Sequence, residues 1–216
     1  MKAAYLIVMW SMLGTSIFGL GAQDQAEPTP EQAKGEEKTK EHVFRERLQT
    51  FLNSKNGEEN LENQGELAKI GGFDQEERGL SSLNHYMAWR KDCLRKAIAV
   101  YLTKKDLPAL TKAIENTELP APVRIQAMFF CEWKGFKEVL PVLAKVLDDK
   151  NEYVMRNARS TAERLVGFDL YLTFDPKDFR KPIDRDAQLQ RVKQKFIEWI
   201  EKQKDNPEPE TKTIEK

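Results

Sequence analysis

The chain has 216 residues, of which 40% are hydrophobic and 32% are charged, so it is long enough for one substantial domain with flanking segments. Its 35 basic residues balance its 35 acidic residues, and this argues against a nucleic-acid-binding protein, which needs a basic surface. Two histidines and two cysteines are too few ligands to favour a zinc site or a histidine-based catalytic triad.

The first residues have the layout of a secretory signal peptide. Lys2 precedes an apolar run over 3–20, and the small residues Gly21 and Ala22 follow it. We interpret 1–22 as a signal peptide and expect the rest of the chain to be exported, to a periplasm or out of the cell. The alternative is an uncleaved membrane anchor through residues 3–20, which would form a helix of about 27 Å, slightly shorter than the hydrocarbon core of a bilayer.

Two segments precede the clearest pattern in the chain. Residues 23–40 carry almost no apolar side chains and are predicted to form a disordered linker. Residues 41–104 are predicted to form an N-terminal helical region that caps the fold: a short helix, a turn or two of helix, and a long helix from about 81 to 104 with two apolar faces. The apolar residues behind this prediction are Val43, Phe44, Leu48, Phe51 and Leu52, then Leu61, Leu67 and Ile70, then Tyr86, Met87, Cys93, Leu94, Ala97, Ile98, Val100 and Tyr101.

Residues 105–167 contain a duplication. The motif Leu-Pro-Ala-Leu at 107–110 returns as Leu-Pro-Val-Leu at 140–143, a shift of 140 − 107 = 33 residues, and a second amphipathic stretch follows each copy. A period of this length is typical of stacked helix pairs, in which each pair buries one face against the next. The residues predicted to point inward are Leu107, Leu110, Ala113, Ile114, Val123, Ala127, Phe130 and Cys131 in the first copy, and Phe136, Leu140, Leu143, Val146, Leu147, Val154, Ala158, Ala162 and Leu165 in the second.

Residues 168–203 follow a different pattern. An aromatic-rich segment over 168–182, broken by a proline, is predicted to be an irregular connection packed over the end of the helix pairs. A last helix from about 185 to 202 has an apolar stripe and a charged outer side, as expected of a helix that caps a stack. Residues 204–216 are predicted to form a disordered tail.

These motifs resemble the HEAT repeat. The resemblance lies in Leu107–Leu110 with Val123, Arg124 and Ala127, and in Leu140–Leu143 with Asp149, Val154, Arg156 and Ala158. The stretch from Gly167-Phe168 through Asp175-Pro176 to Phe196, Trp199 and Ile200 is similar to the terminal segment of small secreted bacterial HEAT-repeat proteins. The first copy departs from the pattern, because Thr117-Glu118-Leu119-Pro120 stands where an aspartate is usual. The resemblance implies an all-α fold, a short right-handed α-solenoid of HEAT-like helical hairpins with flanking helices and disordered tails. It also implies protein binding rather than catalysis.

A binding face is the most specific site that we predict. In an α-solenoid the second helices of successive pairs line one concave surface. Arg124 and Arg159 are expected there as cations, and Trp133 and Tyr153 as aromatic anchors, because these residue types dominate binding hot spots. Arg156 has an alternative, structural role, in which it bonds to Asp148 or Asp149 of the adjacent turn.

The two cysteines have two interpretations. In an oxidising compartment Cys93 and Cys131 can form a disulfide, provided that their helices are neighbours. The alternative is a pair of buried thiols that pack as small apolar residues.

The sequence contains no phosphate-binding glycine-rich loop and no GxSxG, HExxH or CxxC motif. We therefore predict no catalytic residue, no cofactor and no metal site. The predicted function is that of an exported, non-catalytic scaffold for a protein or peptide, with no nucleic-acid partner and no membrane contact beyond an N-terminal anchor. The alternatives are a small-ligand carrier or an enzyme accessory subunit that uses a cleft beside the aromatic segment, and a hydrolase built from dispersed carboxylates.

Overall fold

The computed structural model describes residues 30–73, 83–175 and 184–205. In these ranges the chain forms α-helices and short 3₁₀ turns without any β-strand, so the predicted all-α class is confirmed. The predicted signal peptide or anchor at 1–22 lies outside the described residues. Among the helices that are described, none combines the length and the apolar character needed to cross a bilayer. The helices are α1 (Pro30–Asn53), α2 (Gly57–Ile70), α3 (Leu83–Tyr101), α4 (Leu107–Glu115), α5 (Ala121–Lys134), α6 (Leu140–Lys145), α7 (Glu152–Val166), α8 (Leu170–Phe174) and α9 (Arg185–Asp205).

Helix α1 begins at Pro30, so the prediction of a disordered linker over 23–40 is wrong for its second half. The segment is rich in Glu, Lys, Gln and Ala, which lose little freedom in a helix. Its continuation from 41 onward is fixed by packing, since four of its apolar side chains are buried. A segment composed of good helix formers can therefore extend a helix whose later turns are anchored. The buried residues are Phe44, Leu48, Phe51 and Leu52.

Helix α2 is longer than predicted, and its buried side differs from the one expected. Leu67 and Ala68 face inward as apolar residues, but Asn60 and Asn63 share that side, while Leu61 is 59% exposed. The close contact of the chain with α3 at the end of α2 determines which side of α2 is buried. There, a Cβ added to Gly71 would lie 1.9 Å from the backbone oxygen of Cys93. Only a glycine permits this approach of the chain to α3.

Helix α3 buries part of each of its two predicted apolar faces. Cys93, Leu94 and Ile98 are buried, whereas Met87 and Val100 are 52% and 60% exposed. The helix contacts α2 and α5, and it also contacts α1. The two apolar faces predicted for this helix are therefore only partly covered by the described part of the chain.

Helices α4 to α7 form two hairpins. Helix α4 packs against α5, and α6 packs against α7; in addition α4 contacts α6 and α5 contacts α7. The residues predicted to point inward are buried, apart from Leu107 and Leu165, which are half-buried. Both second helices end at a glycine with a left-handed backbone, Gly135 at φ 67° and Gly167 at φ 83°.

The two copies do not keep one register throughout. The first helices of the two hairpins are related by a shift of 33 residues. In the second helices, the buried Val123 and Ala127 of α5 correspond to the buried Val154 and Ala158 of α7. That is a shift of 154 − 123 = 31 residues. The connection inside the second hairpin is thus two residues shorter. In consequence Met155, not Arg156, occupies the position equivalent to Arg124.

Other helices continue these contacts on both sides of the hairpins. Helix α1 contacts α4 and α9 contacts α6, while α3 contacts α5. One ion pair joins α1 to the 3₁₀ turn before α4: an Nη1–H of Arg45 donates to Oδ1 of Asp106 at 2.7 Å, and the other oxygen of Asp106 accepts from the backbone N–H of Thr103 at 2.8 Å.

The C-terminal region contains more helix than predicted. Residues 170–174 form α8, with the side chain of Asp169 accepting from the N–H of Leu172, where we expected an irregular connection. The rest of that connection, 176–183, lies outside the described residues. Helix α9 extends to Asp205, beyond the predicted start of the disordered tail at 204, and 206–216 are not described. The aromatic rings of Phe168, Phe174, Phe196 and Trp199 pack together between α8 and α9, with centroids 5.4–6.2 Å apart.

Candidate binding face

Arg124 does not lie on a surface. It is 3% exposed, one Nη2–H donates to Oδ2 of Asp149 at 2.6 Å, and its Nε–H donates to the carbonyl oxygen of Ile114 at 2.9 Å. The prediction that Arg124 contributes to a binding face is therefore wrong. Its side chain joins three elements instead, namely α5, the end of α4 and the turn before α7.

The partner of Arg124 is held in its ionised form. Burial of Asp149 disfavours the charge, but the hydrogen bonds from Arg124 and from the backbone N–H of Asn151 outweigh it, so the pKa of this carboxyl lies below its ordinary value. Asp149 was expected as a partner for Arg156. That arginine instead pairs with Glu152 of its own helix at 2.5 Å, in an exposed position.

Arg159 is half-exposed and joins α7 to α8. It pairs with Glu163 at 2.8 Å and Asp169 at 3.3 Å, and its guanidinium carbon lies 4.2 Å from the centroid of the Tyr171 ring. Burial raises the pKa of the Tyr171 phenol, although the charge of Arg159 acts in the opposite direction. Because both of its acidic partners are already in place, Arg159 is poorly suited to capture a further anion.

Tyr153 is the most exposed of the four predicted residues, at 72%. It occupies the first turn of α7, where the side chain of Asn151 accepts hydrogen bonds from the N–H groups of Tyr153 and Val154. The cap fixes the helix start, and the phenol is left in solvent.

Trp133 belongs to an aromatic arrangement that the sequence alone did not suggest. Its ring stacks on Phe129 one turn earlier, with centroids 6.3 Å apart and planes 12° apart, and the guanidinium carbon of Arg95 on α3 lies 5.3 Å from the Trp133 ring centroid. Phe130, which is fully buried, supports Trp133 from the core at 5.8 Å. We call Phe129, Trp133 and Arg95 together the aromatic shelf.

Phe129 lies on the outer side of α5. It is two residues from the fully buried Ala127, which places it about 200° away around the helix. The signal in the sequence was present: Phe129 is four residues before Trp133 and falls between the inward positions 127 and 130. We had assigned neither Phe129 nor Arg95 to the face.

Two polar contacts fix α5 on either side of the shelf. Towards α7, Glu132 accepts two hydrogen bonds from Arg164 at 2.9 and 3.0 Å. Towards α3, the ammonium group of Lys134 donates to the backbone oxygen of Ala99 at 2.7 Å, near the C-terminal end of that helix. The shelf is therefore carried by a helix whose neighbours hold it in place.

The α3 side of the shelf is basic. Lys91 and Arg95 are exposed, one helical turn apart, and neither pairs with a carboxylate of any residue that the structure describes. Asp92, the only acid on α3, is itself paired with Lys96 at 3.1 Å. Positive charge at this edge is thus left uncompensated by the described residues.

Other kinds of site find less support. Within 30–73, 83–175 and 184–205, no three His, Cys, Asp or Glu side chains are grouped so that they could hold a metal ion. An open depression of about 400 Å³ lies between α1 and α2 and is lined by residues of polar type. It is not the cleft beside the aromatic segment that we considered for a carrier. Its lining residues are Gln49, Thr50, Asn53, Ser54, Lys55 and Glu59.

Cys93 on α3 and Cys131 on α5 are buried thiols. The two helices contact each other. No disulfide joins them, so the structure corresponds to the second of the two interpretations above. Burial, together with the negative charge of Glu138, raises the pKa of the Cys131 thiol to about 12. A thiol in this state is a poor nucleophile at neutral pH.

Comparison of the chain with protein-family models, with curated proteins and with solved structures found no match. The features that can carry a functional proposal are therefore the aromatic shelf, the exposed Tyr153, and the cations of α3 that pair with no acid in the described ranges.

Proposed function

We propose that this chain is an exported, non-catalytic scaffold that binds another protein on the outer side of α3, α5 and α7. The proposal includes the finer architecture, a short right-handed α-solenoid of HEAT-like hairpins. Support for the architecture comes from the contacts of first helix with first helix, α4 with α6, and of second helix with second helix, α5 with α7. Support for export is the signal-peptide layout of residues 1–22.

The observation that carries the proposal is the stacked pair of Phe129 and Trp133 on the outer side of α5. A half-buried aromatic pair offers a large apolar area with few rotatable bonds, so a partner can cover it at little entropic cost. Arg95 over the Trp133 ring adds a second residue type that, like Trp, is enriched in binding hot spots. The arrangement is preformed, because Phe130 and the two polar contacts of α5 already hold it.

The proposal is tested by site-specific photo-crosslinking with the full chain in cells that produce it. A photoreactive phenylalanine analogue replaces Tyr153 on α7 in one variant and Leu172 on α8 in a matched control, since these side chains are 72% and 70% exposed. We expect a covalent adduct with a second protein from position 153 and none from position 172.

A second substitution ties the adduct to the shelf. Adding Phe129→Ser to the position-153 variant removes one ring of the stacked pair on the outer side of α5, and the adduct is expected to be lost or strongly reduced. Thermal unfolding of the Phe129→Ser chain serves as the folding control. Equal adducts from both positions, or an adduct that Phe129→Ser leaves undiminished, would contradict the proposed binding face.

A further inference from the structure

We infer that the partner segment is acidic: a peptide stretch that places an apolar side chain on Phe129 and a carboxylate on Arg95. This inference rests on the proposed function and adds the chemistry of what is bound. It is argued from the position of Arg95 over the Trp133 ring, from the paired and unpaired charges among the described residues around the shelf, and from the upper limit on the distance between Phe129 and Arg95.

Arg95 is arranged to accept a carboxylate. The carbon of the planar guanidinium group lies over the Trp133 ring, 5.3 Å from the ring centroid, and its N–H donors make no hydrogen bond to a described residue. A carboxylate fits such a planar set of donors in a bidentate manner. Arg95 is exposed, and no carboxylate within the described ranges occupies those donors.

The charges around the shelf favour an anionic partner. The two acids closest in sequence to the shelf residues are already neutralised, Asp92 by Lys96 and Glu132 by Arg164. Lys91, one turn before Arg95, adds a second cation without an acidic partner among the described residues. Two such cations suit a short acidic stretch, and they are too few for a nucleic acid, which needs many phosphate contacts.

The apolar part of the shelf sets the spacing of the partner's residues. The Phe129 ring centroid and the guanidinium carbon of Arg95 lie 6.3 and 5.3 Å from the Trp133 ring centroid. They are therefore at most about 12 Å apart, which an extended chain covers in about four residues. We expect an apolar residue and an Asp or Glu within about four positions of each other.

The probe for this inference is a library of random 12-residue peptides displayed on phage and selected on the immobilised full chain. Binding of the selected peptides is then measured by fluorescence anisotropy, together with versions in which Asp and Glu are replaced by Lys. We expect the selected peptides to combine an aromatic or leucine residue with nearby acids, and their Lys versions to bind at least about tenfold more weakly.

Variants of the chain identify the group that is responsible. Arg95→Glu is expected to weaken the acidic peptides by about tenfold or more and to improve binding of the Lys versions, while Arg95→Lys, which keeps the charge but loses the planar donors, gives an intermediate affinity. Lys112→Glu makes the same charge change at an exposed residue of α4 and should have little effect. Arg95→Ala removes the guanidinium group without introducing a negative charge, so it tests the same contact a second time. The melting temperatures of all variants show whether they are folded.

The inference is overturned if the selection yields no peptide, if the peptides lack Asp and Glu, or if Arg95→Glu binds them as the unchanged chain does. These outcomes differ from a failure of the proposed function. If the proposed function fails, the crosslink from position 153 is missing or does not depend on Phe129. If the crosslink depends on Phe129 but not on Arg95, the proposed binding face is supported and the acidic partner is rejected.

Discussion

Arg124 and Asp149 form an ion pair across the boundary between the two hairpins, with 2.6 Å between Nη2 and Oδ2 and side chains only 4% and 9% exposed. The arginine also donates to the carbonyl of Ile114 at the end of α4, and the aspartate also accepts from the N–H of Asn151. Both charges are thus satisfied at several atoms. A buried pair of this kind is costly to break, because removal of one partner leaves the other charge buried alone.

We expect Arg124→Ala to lower the free energy of unfolding by about 3–5 kcal/mol, because it leaves the Asp149 carboxylate without its cation and the carbonyl of Ile114 without its donor. The measurement is urea unfolding followed by circular dichroism. Arg156→Ala is the matched control: it removes an arginine from an exposed pair within α7, so its effect should stay within about 0.5 kcal/mol. Equal effects of the two substitutions would show that the buried pair contributes little.

The same pair predicts a dependence on pH. The pKa of Asp149 in the folded chain lies below its ordinary value, so the unfolded chain takes up a proton first as the pH falls. The contribution of the pair is therefore complete at neutral pH, and it is lost from about pH 5 downward. We expect the stability difference between the unchanged chain and Asp149→Asn to be largest at pH 7 and to shrink by pH 3. Urea unfolding of both chains at each pH measures this, and a constant difference would contradict it.

Gly71 gives a steric prediction. Gly71→Ala would place a Cβ 1.9 Å from the backbone oxygen of Cys93, so α2 and α3 must separate, and we expect a loss of about 2 kcal/mol or more. Gly65→Ala inside α2 is the control, because its Cβ would meet only the guanidinium end of Arg90 at 3.5 Å. There, better helix propensity should raise the stability by about 0.5–1 kcal/mol. Thermal unfolding of both variants would separate a steric effect from a general sensitivity of α2 to substitution.

The thiols give a chemical prediction. Because both cysteines are buried and the pKa of Cys131 is raised to about 12, we expect a thiol reagent such as Ellman's reagent to react slowly with the folded chain at pH 7.5. Two thiols per chain should react at once after unfolding in urea without a reductant. If no thiol reacts under those conditions, the chain carries the disulfide that the structure lacks.

The helices of the duplicated region could be predicted from the sequence because local periodicity determines them. Leucine, alanine and valine residues recur on one side of α4 to α7 at helical spacing, and the structure buries that side. The motif at 140–143, for example, places Leu140 and Leu143 inward as expected. No information beyond the chain's own pattern is needed for such a prediction.

The inward side of α2 could not be predicted in this way. Asn60 and Asn63 are buried where Leu61 was expected, because the position of the helix is determined by the contact of Gly71 with α3. That contact involves residues 22 positions apart (93 − 71), and no periodicity within α2 reports it.

The binding face was predicted only in part, for a similar reason. Arg124 was placed on the face because it lies on a second helix of the repeat, but its side chain is 3% exposed and bonds to Asp149, a contact between residues 25 positions apart. Arg95 was not considered, since its contact with Trp133 joins residues on two helices 38 positions apart (133 − 95). Such pairings exist only once α3 and α5 lie side by side.

Three of the arginine–aspartate pairs each join a helix to the start of a later helix: Arg45 of α1 with Asp106 before α4, Arg124 of α5 with Asp149 before α7, and Arg159 of α7 with Asp169 before α8. No residue is shared among them. A single arginine substitution should therefore loosen one junction and leave the other two intact. Amide hydrogen exchange under native conditions would then increase in the helices on either side of that junction, and the cooperativity of the whole molecule can be dissected one boundary at a time.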